Sequence, residues 1–202
     1  MRVLHEELAG CRKCRKMKGP VVFGLPVASP VLLIGQAPGP REGKLGRPFA
    51  WTAGKTLFQW LHRATKADEE TIRKCIYFAA VARCFPGKAK DGGDRRPDAK
   101  EIVRCRPYLE REVTLLAPAL VLPVGTLAIE QVVGEKVKLE DVIGHLVRKR
   151  YHGRDVDVIA LPHPSGASPW HKMEPGKTLL ARALRKVRNH PAMHEALALS
   201  MT

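Results

Sequence analysis

No apolar run in this 202-residue chain approaches the roughly 20 residues that cross a bilayer, so a membrane-spanning helix is not expected. The amino terminus, MRVLHEELAG, carries Glu6 and Glu7 and lacks the apolar centre of a signal peptide. The expected setting is therefore cytoplasmic and thiol-reducing, nucleoid-associated if the source is prokaryotic, and the five cysteines are not expected to form disulfides. Internal repeats and low-complexity tracts are missing too, which argues against a solenoid or a disordered tail. Acidic residues are scarce, 20 Asp+Glu against 35 Lys+Arg, for a formal charge of +15. Such an excess calls for a polyanionic partner, with nucleic acid first, though charge alone leaves DNA, RNA and a solvated surface open. A hydrophobic content of 45% over this length suffices for one core and is short for two, so residues 1–202 are read as one domain and a monomer.

The apolar runs Val31–Ile34, Ile76–Ala82, Ala119–Val124 and Val156–Leu161 are short, rich in Val, Ile and Leu, and end in Gly, Pro or Cys. Buried strands of a parallel sheet have this character. Helical segments fall between them: Thr52–Ala64, a segment capped by Asp98 and running toward Cys105, Thr126–Val133, and Lys177–Asn189. Pro107 is expected to kink or end the second of these. The alternation predicts a three-layer α/β/α sandwich. The polar stretch Gly87–Pro97, GKAKDGGDRRP, reads as a flexible basic loop available to phosphates, and the Ala/Leu-rich tail as room for a short helix.

Two turns set directly behind strands stand out. Gly35-Gln36-Ala37-Pro38-Gly39 follows Val31–Ile34, and His163-Pro164-Ser165-Gly166 follows Val158–Leu161. In an open α/β sheet, ligands bind at the carboxyl ends of strands, so the turns read as two lips of one pocket. Cys11 and Cys14 form a CxxC, and thiolates at that spacing hold one metal or cluster from a single turn. Taken alone, the motif fits zinc as well as iron.

The stretch Gly35–Gly54, GQAPGPREGKLGRPFAWTAG, together with Gly125-Thr126-Leu127-Ala128 and the distant HPSG, closely resembles the iron–sulfur uracil-DNA glycosylases, family 4 of their superfamily. The resemblance implies that superfamily's α/β/α fold with a mostly parallel sheet, and an enzyme that flips a base out of DNA and cuts its glycosidic bond. It assigns Cys11, Cys14, Cys84 and Cys105 to a structural [4Fe–4S] cluster joining an N-terminal arm to the sheet, with Cys75 left to the core. It casts His163 as the donor that stabilises negative charge on the departing base, and Glu42 as the carboxylate that orients water. Gln36 and Ala37 would meet the base edge, Phe49 would stack on the base, and Ser165 would bind a phosphate.

The chain departs from the family pattern in several places: Gln36 sits where the family usually has Glu, and the interval between Cys84 and Cys105 is longer, by the loop GKAKDGGDRRP. Ala80 stands where the family has an Asn that reads uracil, and Gly43 replaces an Asp in the GEAPGxxED pattern, halving the acidity of that loop. Trp51 adds an indole after Phe49. Ala167 occupies the place of the bulky wedge, so Trp170 becomes the candidate substitute. No lysine is placed for Schiff-base lyase chemistry. The leading reading is a monofunctional glycosylase that removes uracil, with other deaminated bases as further substrates. A non-catalytic iron–sulfur DNA-binding or damage-sensing protein is the alternative, and a zinc-bound RNA-binding module would leave HPSG unexplained.

Overall fold

The computed structural model describes residues 1–90, 92–166 and 168–200. In chain order the elements are α1 (Arg2–Ala9), β1 (Val31–Gly35), α2 (Glu42–Leu45), α3 (Thr52–Thr65), α4 (Glu69–Cys75), β2 (Tyr77–Ala80), α5 (Ala99–Leu116), β3 (Leu120–Pro123) and α6 (Thr126–Val133). They continue with α7 (Leu139–Val142), β4 (Val147–Tyr151), β5 (Arg154–Val158), a 3₁₀ turn (Pro169–Lys172), α8 (Gly176–Asn189) and α9 (Pro191–Leu199).

The strands form one sheet in the order β2-β1-β3-β5-β4, parallel throughout except for β4, which runs antiparallel to β5. Side chains alternate between faces along a strand, and each face has its own core. Val31, Leu33, Leu120 and Leu122 pack with Leu57, Ile72, Leu180 and Met193 from α3, α4, α8 and α9. Leu32, Ile34, Val121 and Val158 pack on the other side with Leu109, Val113, Leu127 and Val132 from α5 and α6. A sheet buried on both faces between helices is the expected three-layer α/β/α sandwich.

Several local expectations need correction. Pro107 does not end its helix: α5 runs from Ala99 to Leu116, started by a capping box between Asp98 and Glu101. The pyrrolidine lies on the exposed side, so the helix loses one backbone bond at its wetted face and keeps its apolar face. The fourth strand begins earlier than Val156 and ends at Val158, after which the chain stays extended to bridge Ile143 with Ala160 and Val124 with Leu161. Its partner β4, VRKRY, reads in sequence as a charge run. In the sheet it is an edge strand whose exposed Arg148 and Arg150 guard against strand addition. His152 and Gly153, at φ 45° and 80°, make the two-residue turn that a hairpin prefers.

Gly87–Pro97 is not loose. Lys88 and Asp94 pair across a short hairpin, closed by Ala89 N–H to Gly93 O at 2.8 Å and Arg95 N–H to Gly87 O at 2.8 Å. The Arg95 guanidinium forks onto Glu101 at 2.8 Å to each oxygen and reaches Pro86 O at 2.8 Å. Lys88 pairs with Asp94, and Arg96 with Glu130. Most of the loop's positive charge is thus neutralised within the fold. Among the described residues, no helix is long and apolar enough to cross a membrane.

Candidate active site

The strand order reverses between β1 and β3, which run parallel: β1 leads to β2 on one side, and β3 lies on the other. The crevice at such a switch point is where α/β sheets bind ligands. A cavity of about 150 Å³ opens there, lined by Gln36, Ala37, Glu42, Phe49, Ala80, Asp94, His163 and Ser165 among others. The two turns singled out by sequence do form its lips.

His163 is held from two directions. The Ser165 backbone N–H donates to its Nδ1 at 3.2 Å, and Ser165 Oγ lies 2.9 Å from the same atom. A backbone N–H can only donate, so Nδ1 accepts, and the neutral ring carries its proton on Nε2. Behind the ring is Gly125, at φ 84°, where a Cβ would come within 2.9 Å of His163 Cδ2. Burial pushes the imidazole below its ordinary pKa, opposed by the charge of Asp94. Ser165, expected on a phosphate, therefore also sets the histidine tautomer.

Phe49 has the left-handed φ of 54°, which is costly for a bulky residue. Its ring rests on Gly35, where a Cβ would lie 2.8 Å from Phe49 Cζ. Its carbonyl rests on Gly54, where a Cβ would lie 1.6 Å from the oxygen. Arg73, a residue the sequence did not single out, donates to Pro48 O at 2.9 Å and Phe49 O at 3.2 Å, and stacks over Phe58 at 4.4 Å. Glu42 is only 8% exposed. Its carboxylate accepts from Gly39 N–H at 3.3 Å and from the backbone of Ala50 and Phe49. Burial raises its pKa and those hydrogen bonds pull it back.

Ala80 sits on the cavity wall at the end of β2, beside Gly35 in register, so its methyl meets the space where a side-chain amide would read a base. Trp51 lines the same cavity, 43% exposed, with the Arg41 guanidinium 4.3 Å above its ring. Trp170 is not a free wedge. It packs against the core and onto the start of α8, where a Cβ on Gly176 would fall 2.7 Å from its Cε3. Ala167 lies outside the described residues. Asp94, on the hairpin, is the cavity residue that sequence reading missed, because nothing local links that loop to the turns.

The four cysteines implied as ligands share one neighbourhood. Burial pushes the Cys84 thiol up to about 11, helped by the charges of Cys105, Cys11 and Cys14. Burial likewise raises Cys105, with Cys14 and Cys11 adding to it. Backbone pairing of Lys18 with Phe85, at 2.7 and 3.2 Å, lays the N-terminal arm beside the segment after Cys84. Next to Cys84, the buried Arg83 pairs with Glu112; Tyr77 OH donates to Glu112 at 2.7 Å and lies 2.7 Å from His5 Nε2. This chain ties α1, β2 and α5 together around the thiols. Cys75 lies in the opposite core, its Sγ 3.5 Å from Ile72 O. Among the described residues, no group of three or more side chains closes on a point as a single metal ion requires.

A second hollow runs between α3 and α8. Arg63, Lys172, Lys177, Arg185 and Arg188 line it and, among the described residues, no carboxylate does.

The profile of the uracil DNA glycosylase superfamily matches residues 22–188. Among similar proteins, the type-4 uracil-DNA glycosylase of Sulfurisphaera tokodaii is 28% identical over 172 residues, covering 81% of this chain and 74% of its own. Those of Pyrobaculum aerophilum and Archaeoglobus fulgidus are each 29% identical, over 80% and 79% of this chain and 81% and 78% of theirs. With the sheet order, the two lips and a profile spanning most of its length, this chain belongs to the uracil DNA glycosylase superfamily.

Proposed function

We propose that this protein is a monofunctional DNA glycosylase that hydrolyses the bond between uracil, or a related deaminated base, and deoxyribose, leaving an abasic site. The observation that carries this reading is His163, whose proton is directed to Nε2 by the Ser165 N–H in a cavity also walled by Phe49. A cavity of about 150 Å³ is well below the roughly 300–1,000 Å³ of drug-sized pockets and suits one extruded base. The base stacks on Phe49 and meets Gln36 and Ala37 at its edge. As the C1′–N1 bond breaks, its electron pair moves onto the base, and the His163 Nε2–H stabilises the charge arriving at O2 without a full proton transfer. Glu42 acts by bracing the turn and Phe49 through backbone amides. No lysine lines the cavity among the described residues, which favours hydrolysis over Schiff-base chemistry.

Cys11, Cys14, Cys84 and Cys105 hold a [4Fe–4S] cluster in this reading. Four convergent thiols with no oxygen or imidazole ligand suit iron–sulfur chemistry. Bound there, the cluster ties residues 1–20 to the sheet as a structural element within a single domain, and the protein works as an intracellular monomer on DNA.

The test is single-turnover cleavage of single- and double-stranded oligonucleotides carrying uracil, hypoxanthine or xanthine, read as alkali-labile abasic sites. Excision that His163→Ala suppresses supports the reading. DNA binding with no excision of any base would overturn it in favour of the damage-sensing alternative.

A further inference from the structure

Glycosidic cleavage develops positive charge on the sugar and needs a water at C1′, and a carboxylate free to face the substrate serves both. The turn after β1 supplies only a carboxylate whose oxygens are already engaged by backbone amides. Its remaining acid, Glu42, lines the cavity, but it is largely buried and its carboxylate is already engaged by the backbone N–H groups of Gly39, Ala50 and Phe49, while Gly43 is a glycine whose own neighbour is Pro20. A carboxylate reaches the cavity from elsewhere. Asp94, at the edge of the Gly87–Pro97 hairpin, lines the cavity with His163 and Ser165. Its Oδ1 accepts from Lys88 Nζ at 2.7 Å, and its Oδ2 points toward Gly39, 3.9 Å from where a Cβ on that glycine would sit.

The approach is built rather than incidental. The hairpin is closed by its own backbone bonds, and its base is fixed by the Arg95 fork on Glu101, itself part of the α5 capping box. Lys88 engages Oδ1 and leaves Oδ2 on the side of Gly39.

We infer that Asp94 is a catalytic residue: the hairpin carries into the active site the water-activating and sugar-facing carboxylate that the β1 turn does not leave free. This rests on the glycosylase reading above. In the step, the C1′–N1 electron pair leaves with the base, whose O2 is held by His163. The water oxygen forms a bond to C1′, and its proton passes to Asp94 and then to solvent or to the departed base. Before attack, the negative charge of Asp94 opposes the positive charge on the sugar.

The experiment compares wild type, Asp94→Asn and Lys88→Gln in single-turnover excision of uracil, with DNA affinity measured separately. Asp94→Asn keeps the size of the side chain and removes a negative charge, so DNA binding is expected to be equal or tighter while the excision rate falls about 10²-fold, within the usual range for general-base catalysis. Lys88→Gln breaks the hairpin's ion pair without touching the carboxylate and is expected to lose less than a tenth of that factor. An Asp94→Asn rate within three-fold of wild type would overturn the inference. Equal losses in both variants would also overturn it, because the hairpin's shape would then be what matters. A wild-type protein that excises no base would instead refute the glycosylase reading itself, which makes the two failures distinguishable.

Discussion

His163→Ala removes the donor proposed to face the leaving base, and the size of the expected loss follows from how that donor is held. A preorganised donor to a developing oxyanion contributes about 2.7–4 kcal/mol, or roughly 10²–10³ in rate. His163 is preorganised by three contacts: the Ser165 N–H at 3.2 Å, Ser165 Oγ at 2.9 Å, and the bare Cα of Gly125 behind the ring. Ser165→Ala deletes only the hydroxyl, worth about 1 kcal/mol, and keeps the N–H that sets the tautomer, so a loss of about five-fold is expected. Gly125→Ala drives a methyl to 2.9 Å from Cδ2 at φ 84° and should fall between the two. The assay is single-turnover excision at enzyme excess, alongside oligonucleotide affinity, which His163→Ala should leave nearly intact. Burial lowers the His163 pKa from 6.5, so the neutral ring persists below that pH. Wild-type excision should therefore hold steady as pH falls past 6.5 and drop only when Nδ1 takes a proton and loses the Ser165 N–H. Wild-type rates in His163→Ala, or an equal loss in Ser165→Ala, would refute this account.

Ala80→Asn, placing an amide on the cavity wall, should sharpen preference for uracil over hypoxanthine and xanthine; strict uracil specificity in the native protein, unchanged by the substitution, would show that Gln36 or backbone groups already read the base. Charge reversal at Arg63 and Arg185, in the groove between α3 and α8, should weaken DNA binding regardless of sequence and reduce the salt slope by about two. Arg96→Gln should change the slope little, since that side chain is spent on Glu130, and a reversed ranking would move the DNA surface to the hairpin. Protein purified anaerobically should be brown, with Cys11→Ser bleaching it and Cys75→Ser sparing it; colourless zinc-loaded protein would refute the cluster.

What could be read in advance was what burial writes into local pattern. β1, β2 and β3 are apolar because both faces are covered, and α3, α6 and α8 show one apolar face each, so their positions follow from periodicity within a few residues. β4 was hidden because an edge strand buries little, and Arg148, Lys149 and Arg150 mask the alternation of Val147 and Tyr151. The lips of the site were legible as turns behind strands. Arg73 and Asp94 were not, because Arg73 meets Phe49 across 24 residues of chain and no local pattern links the loop of Asp94 to the two turns whose cavity it shares.

The Phe49 backbone shows how motif residues can serve function through geometry alone. A left-handed φ at a bulky residue costs of order 1–3 kcal/mol and persists only where the surroundings over-determine it. Here Glu42 takes its N–H, Arg73 takes its carbonyl, and glycines at 35 and 54 leave the only room its ring and oxygen can use. Each of these would be idle if Phe49 were merely a core aromatic, because the ring could then pack from an ordinary backbone. Their joint effect is to hold the ring against Gly35 at the end of β1, where it lines the cavity and is proposed to stack on the base. On this argument the acid of the β1 turn is committed to holding the platform. Glu42 and Asp94 both line the cavity, and of the two it is Asp94, carried in by the hairpin, whose Oδ2 accepts from no backbone amide among the described residues, which is why the inferred sugar-facing role falls to Asp94.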